Sequence, residues 1–138
     1  MAKTFTLEVV TPDKVVLRDE LVVSLIVPAA EGYLGVMAGH APLFGELKVG
    51  EITVRHEDDS EIHLSTCGGF IEVADHRATL LVDAAEFTYE IDVERAEKAK
   101  SRAEQLLART DLLPEETARA RASLERALNR LRLAGRTQ

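Results

Sequence analysis

The feature that most constrains this chain is a change of hydrophobic period close to Glu86. Before that point, apolar and polar residues alternate, the period of a half-buried strand. Phe5, Leu7 and Val9 alternate with Thr4, Thr6 and Glu8, and Glu51-Ile52-Thr53-Val54-Arg55 repeats the pattern. Leu21 to Val27 is rich in β-branched residues, and Phe70 to Val73 and Ala78 to Val82 form further strand-like runs. Thr11-Pro12-Asp13, Asp58-Asp59-Ser60 and Asp75-His76 supply turn chemistry between the runs. Short strands at this spacing predict an antiparallel β-sandwich or barrel over residues 1–86. Two glycine-bearing segments interrupt it. Glu31 to Leu43, with Gly32, Gly35 and Gly39, reads as a shaped loop, and Cys67-Gly68-Gly69 as a turn or bulge entering a strand.

From residue 87 to 138 the period is helical. Asp92 is a good N-cap, with Glu94 where the helix dipole favours an anion. Val93, Ala96, Ala99, Ala103 and Leu106-Leu107 then recur at helical spacing, and Arg109-Thr110-Asp111 ends the helix. Pro114 suits the first turn of a second helix, carrying Ala120, Leu124, Ala127-Leu128 and Leu131. Arg130, Arg132 and Arg136 suit its C-terminal end, and Gly135 is its stop. The fold class is therefore α+β, an N-terminal antiparallel β-sandwich followed by a C-terminal antiparallel two-helix hairpin. Alanine dominates the hairpin's apolar stripe. A buried methylene contributes only about 0.8 kcal/mol, so this hairpin is expected to dock weakly.

Charge separates the same two parts. Residues 1–86 hold 6 Lys/Arg against 15 Asp/Glu, net −9, and residues 87–138 hold 11 against 9, net +2. The overall charge of −7 argues against nucleic acid as the main partner. A single cysteine, Cys67, allows no internal disulfide and fits a reducing compartment. The N-terminus lacks an apolar signal region, and the run Leu21 to Ala30 is far short of a membrane helix. Membrane association is expected to be indirect.

Catalytic apparatus is not apparent. The chain has no phosphate-cradling glycine loop, no dinucleotide fingerprint and no zinc spacing of Cys and His. His56 and His63 flank a predicted hairpin turn, where solvation is the expectation, and Cys67 reads as a small buried residue. The hairpin does hold an arginine constellation. Arg95 and Arg102 are seven apart on one face of the first helix, and Arg126 and Arg130 are four apart on the second. Like charges at that spacing repel by a few tenths of a kcal/mol. An anion between the helices would relieve this and accept bidentate contacts. Asp92 and Glu86 lie near the start of the first helix, where they could accept from sugar hydroxyls or a base amine. Taken alone, the arginines fit a solvated charged face, or a surface for an acidic protein partner, better than an anion site.

The order of segments resembles the epsilon subunit of the bacterial F-type ATP synthase over essentially the whole chain. The resemblance is carried by Val9-Val10-Thr11-Pro12, by Gly32 through Leu43, by Gly68-Gly69-Phe70-Ile71-Glu72-Val73, by Ala84-Ala85-Glu86, by Ile91-Asp92-Val93-Glu94-Arg95-Ala96 and by Arg126-Ala127-Leu128-Asn129-Arg130-Leu131. It implies a non-catalytic central-stalk subunit, peripheral at the cytoplasmic face of the cell membrane. Its implied partners are the gamma subunit, the c-ring of the membrane sector and, through an extended hairpin, the alpha and beta catalytic subunits. It implies coupling of proton-driven rotation to ATP synthesis, and inhibition of ATP hydrolysis by a mobile hairpin. It further implies no prosthetic group, but ATP, alone or with Mg, as a regulatory ligand held by Glu86, Ile91, Asp92, Arg95, Ala96, Arg102, Arg126 and Arg130. The alternatives are a purely structural coupling subunit without nucleotide sensing, and an unrelated small binding module or enzyme with a helical tail.

Overall fold

A computed structural model describes residues 3–134 of the chain. Two compact units divide between Phe87 and Thr88. The first contains the strands β1 (Phe5–Val10), β2 (Val15–Ala29), β3 (Gly32–Met37), β4 (Leu43–His56), β5 (Glu61–Ala74), β6 (Arg77–Val82) and β7 (Ala85–Phe87). They form one seven-stranded sheet in the order β1-β6-β5-β4-β2-β3, with β7 on β5. An additional β1–β2 pairing closes β1, β6, β5, β4 and β2 into a ring. A ring of alternating strand directions needs an even number of members, so this odd ring must contain a parallel pair. That pair is β1–β6, and every other pairing is antiparallel.

The inward positions of this ring are the alternating residues of the sequence. Phe5, Leu7 and Val9 are buried, as are Ile52, Val54, Leu64, Ile71 and Leu80. Each such side chain contributes about 1.5–3 kcal/mol on leaving water. Scarce aromatics are no obstacle, because aliphatic side chains fill the interior.

Two local expectations are corrected. The segment expected as a loop is mostly strand: β3 pairs with β2 from Ala29↔Gly32 to Ser24↔Met37. Its glycines obscured an alternation in which Val36 is buried and Leu34 packs against the core. The Gly68-Gly69 pair lies inside β5, not at its entrance. Both glycines have positive φ, 110° and 141°. The strand nonetheless continues, because Gly68 C=O accepts from Asp83 N–H at 3.0 Å and Gly69 pairs with both Leu47 and Val82. The Asp75-His76 turn is as the sequence suggests, with φ of 52° and 61° at its two residues.

The second unit opens with a 3-10 turn, Thr88–Glu90, and contains α1 (Val93–Leu107) and α2 (Pro114–Ala134), which pack on each other. Asp92 caps α1, and Glu94 lies in its first turn. Pro114 is the first residue of α2, with Glu115 and Glu116 in the opening turn. Gly135 and Arg136, expected as stop and terminal cation, lie outside the described residues. The buried alanines are Ala96 and Ala103 on α1, and Ala120 and Ala127 on α2.

Candidate functional site

Seven of the eight residues singled out in sequence lie in the second unit. Ile91, Asp92, Arg95 and Ala96 occupy the start of α1, and Arg102 lies seven residues beyond Arg95. Arg126 and Arg130 occupy successive turns of α2. Ile91 is 9% exposed, and Ala96 is fully buried. Asp92 Oδ1 accepts the backbone N–H of Arg95 at 3.0 Å. The eighth residue, Glu86, belongs to β7 in the first unit, where it pairs with Ser65.

The alanine seam puts these arginines on a common side of the hairpin. Each of Arg95, Arg102, Arg119 and Arg126 directly precedes a buried alanine. In an antiparallel helix pair, positions with the same offset from the seam line the same side of it. Arg130, three residues after Ala127, shares that side. A cleft of about 190 Å³ near the turn is lined by Leu106 of α1, by Arg109 and Leu112 of the connecting segment, and by Glu116, Arg119 and Ser123 of α2. The hairpin thus carries a file of guanidinium groups along one edge of an alanine-packed seam, chemistry suited to phosphate or carboxylate oxygens.

The individual arginines differ in how they are held. Arg95 and Arg102 are exposed, and neither enters an ion pair among the described residues. Arg126 is half-buried, and its Nη2 donates to Ser123 Oγ at 3.2 Å. At the turn, Arg109 donates through Nε and Nη2 to both carboxylate oxygens of Asp111, at 3.0 and 2.9 Å. That pairing holds the Asp111 carboxyl below its ordinary value and raises Arg109. Arg109 is therefore already committed, unlike Arg95 and Arg102.

The first unit holds three features the sequence reading missed or misjudged. His63 is not solvated: Nδ1 lies 2.9 Å from Glu51 Oε2 and Nε2 lies 3.4 Å from Glu61 Oε1. His56 Nδ1 bonds Asp19 Oδ2 at 2.8 Å, which raises the imidazole above its ordinary value. The third is an exposed aromatic pair. Phe44 and Phe70 are stacked with ring centroids 5.6 Å apart, although 67% and 45% exposed. Leu81, paired with Phe70 in the ladder, is also exposed. Phe44 and Phe70 face outward because each sits one step off the buried alternation, a signal present in the sequence once strand register is known. Cys67 is only half-buried. Among the described residues, no group of three or more His, Cys, Asp or Glu could hold a metal ion, and no helix is long and apolar enough to cross a membrane.

The ATP synthase delta/epsilon chain β-sandwich domain matches residues 4–88, and the delta/epsilon chain long α-helix domain matches residues 90–135. The chain belongs to the ATP synthase delta/epsilon family, as an epsilon subunit of the F-type central stalk. It is 42% identical to the ATP synthase epsilon chain of Moorella thermoacetica over 96% of this chain and 97% of that one. It is 40% identical to the epsilon chain of Bacillus pumilus over 97% of this chain and 99% of that one. Among solved structures, a chain of the Euglena gracilis mitochondrial ATP synthase matches with a TM-score of 0.77 and 25% identity, covering 91% of this chain and 78% of the other. A chain of the Tetrahymena thermophila ATP synthase central stalk and c-ring shares the fold, with a TM-score of 0.65 at 14% identity over 96% of this chain and 98% of that one. The epsilon fold class expected from sequence, a β-sandwich followed by two helices, is what the family and the structure share. Within the ATP synthase complex an epsilon chain is a stalk subunit and not the catalytic one.

Proposed function

We propose that this epsilon subunit is a non-catalytic coupler and regulator. It binds the gamma subunit and the c-ring through the β-sandwich, at the cytoplasmic face of the cell membrane, and it senses ATP through the hairpin. The exposed Phe44–Phe70 stack with Leu81 is an apolar face of the kind that marks a protein interface, and it supports the gamma contact. In the nucleotide-bound state, Asp92, Arg95, Arg102, Arg126 and Arg130 hold ATP, with Ile91 and Ala96 as apolar walls. In the other state the helices separate and extend into the catalytic head. There the basic α2 meets an acidic segment of a beta subunit and blocks hydrolysis.

The observation that carries the reading is the alanine seam flanked on one side by arginines. Alanine packing is weak enough for two states to lie close in energy. Shifting the ratio from 1:99 to 99:1 takes about 5.5 kcal/mol of differential binding. Charge-assisted hydrogen bonds contribute about 1.5–3 kcal/mol each, so a few suffice. The test is titration calorimetry of the full-length subunit with Arg126→Ala. Loss of ATP binding is expected, and unchanged binding removes the proposed site.

A purely structural coupler is the second reading. It is favoured by one observation: the Asp92 carboxylate already has work as a helix cap. An ATP titration that leaves the amide shifts of the hairpin unmoved would establish it.

A further inference from the structure

Each arginine of the proposed site would have to be ordered before it could grip a phosphate, and a long side chain loses rotamer freedom when it does so. Arg126 differs from Arg95 and Arg102 in already being held. Its Nη2 donates to Ser123 Oγ at 3.2 Å, and both side chains are half-buried. Ser123 lies three residues after Ala120 and four before Ala127. It therefore sits within the apolar stripe that faces α1, on the side of the seam where the arginines gather.

We propose that Ser123 is a positioning residue for Arg126, a role that rests on the nucleotide reading above. The chemistry of the tether is specific. A hydroxyl oxygen accepts one guanidinium N–H but carries no charge, so Arg126 keeps its full positive charge and its remaining donors for an anion. A carboxylate at the same place would fix the orientation equally well but neutralise the group. The structure contains that contrast, because Arg109 is held by the Asp111 carboxylate through two bonds. Ser123 thus orders the arginine without competing with a triphosphate for its charge.

The test uses the full-length subunit and ATP in titration calorimetry, with Ser123→Ala, Ser123→Thr and Arg126→Ala. Alanine is the better helix former, so loss of α2 cannot account for weaker binding by Ser123→Ala. Loss of one preformed hydrogen bond should raise its Kd about three- to tenfold. Ser123→Thr keeps the acceptor and should stay within about twofold of the parent. In the nitrogen-15 spectrum of the nucleotide-free protein, the Arg126 guanidinium signals should be resolved in the parent and averaged in Ser123→Ala. If Ser123→Ala binds ATP like the parent while Arg126→Ala does not, the positioning role is wrong and the site stands. If Arg126→Ala also binds like the parent, the site itself is wrong and the positioning role falls with it.

Discussion

Asp92 accepts the backbone N–H of Arg95 at 3.0 Å, so the acidic and basic members of the proposed nucleotide motif are joined by a helix cap before any ligand arrives. A carboxylate in that position satisfies an orphan donor and complements the helix dipole. Replacing it with alanine should destabilise the start of α1 by about 1 kcal/mol. Asp92→Asn keeps the cap but removes the charge. Hydrogen exchange at the first turn of α1 should be faster in Asp92→Ala and near parental in Asp92→Asn. If both variants lose ATP binding while only one loses the cap, the charge itself contacts the ligand.

His56 and Asp19 make the opposite kind of pair, one whose strength depends on pH. The hydrogen bond that the His56 ring N–H donates to the Asp19 carboxylate is the main cause that lifts His56 above its ordinary value of 6.5, against the opposing effect of desolvation. A group raised in the folded state stabilises fully below its unfolded value, and that contribution is lost as pH rises through the folded value. The stability difference between the parent and Asp19→Asn should therefore be larger at about pH 5.5 than at about pH 8.5. Denaturant titration at both values checks it, and a difference that grows with pH would contradict the assignment.

Gly69 tolerates no side chain. Its φ is +141°, and a Cβ there would run into the Leu81 carbonyl oxygen and lie 2.6 Å from Val82 Cα. Gly69→Ala should cost more than about 2 kcal/mol in equilibrium unfolding, from strain and displaced backbone together. Gly35 is the control. A Cβ there meets nothing within 4 Å and its φ is not positive, so Gly35→Ala should change stability by less than about 1 kcal/mol.

The Phe44–Phe70 stack separates folding from assembly. The rings are exposed, so Phe44→Ala forfeits little burial and about 0.5–1.5 kcal/mol of stacking. Its melting temperature should move by only a few degrees. Copurification with gamma should nonetheless weaken markedly. Parental binding to gamma by the variant would remove this face from the proposed interface.

Much of the architecture was legible because the side-chain periods of strand and helix differ. Phe5, Leu7 and Val9 alternate inward, and the alanines of α1 and α2 recur at the spacing of one helix face. Asp92 and Pro114 mark their helix starts by local chemistry alone, which needs no partner from elsewhere in the chain. The arginines, too, could be grouped by spacing on each helix. Glycine misled where it was read as punctuation, since β3 draws its hydrogen bonds from β2 and overrides the local preference of Gly32 and Gly35.

What the amino-acid order determined by itself is therefore whatever depends on neighbours within a turn or two: element type, helix starts and the apolar face of each element. Tertiary structure alone decided which distant residues meet. It closed an odd ring of strands and so made β1 run parallel to β6. It set Asp19 against His56 across 37 residues, enclosed His63 between two carboxylates, and left Phe44 stacked on Phe70 at the surface. Those contacts follow from strand register and helix pairing, which depend on cooperative burial of the whole core and carry no local signature.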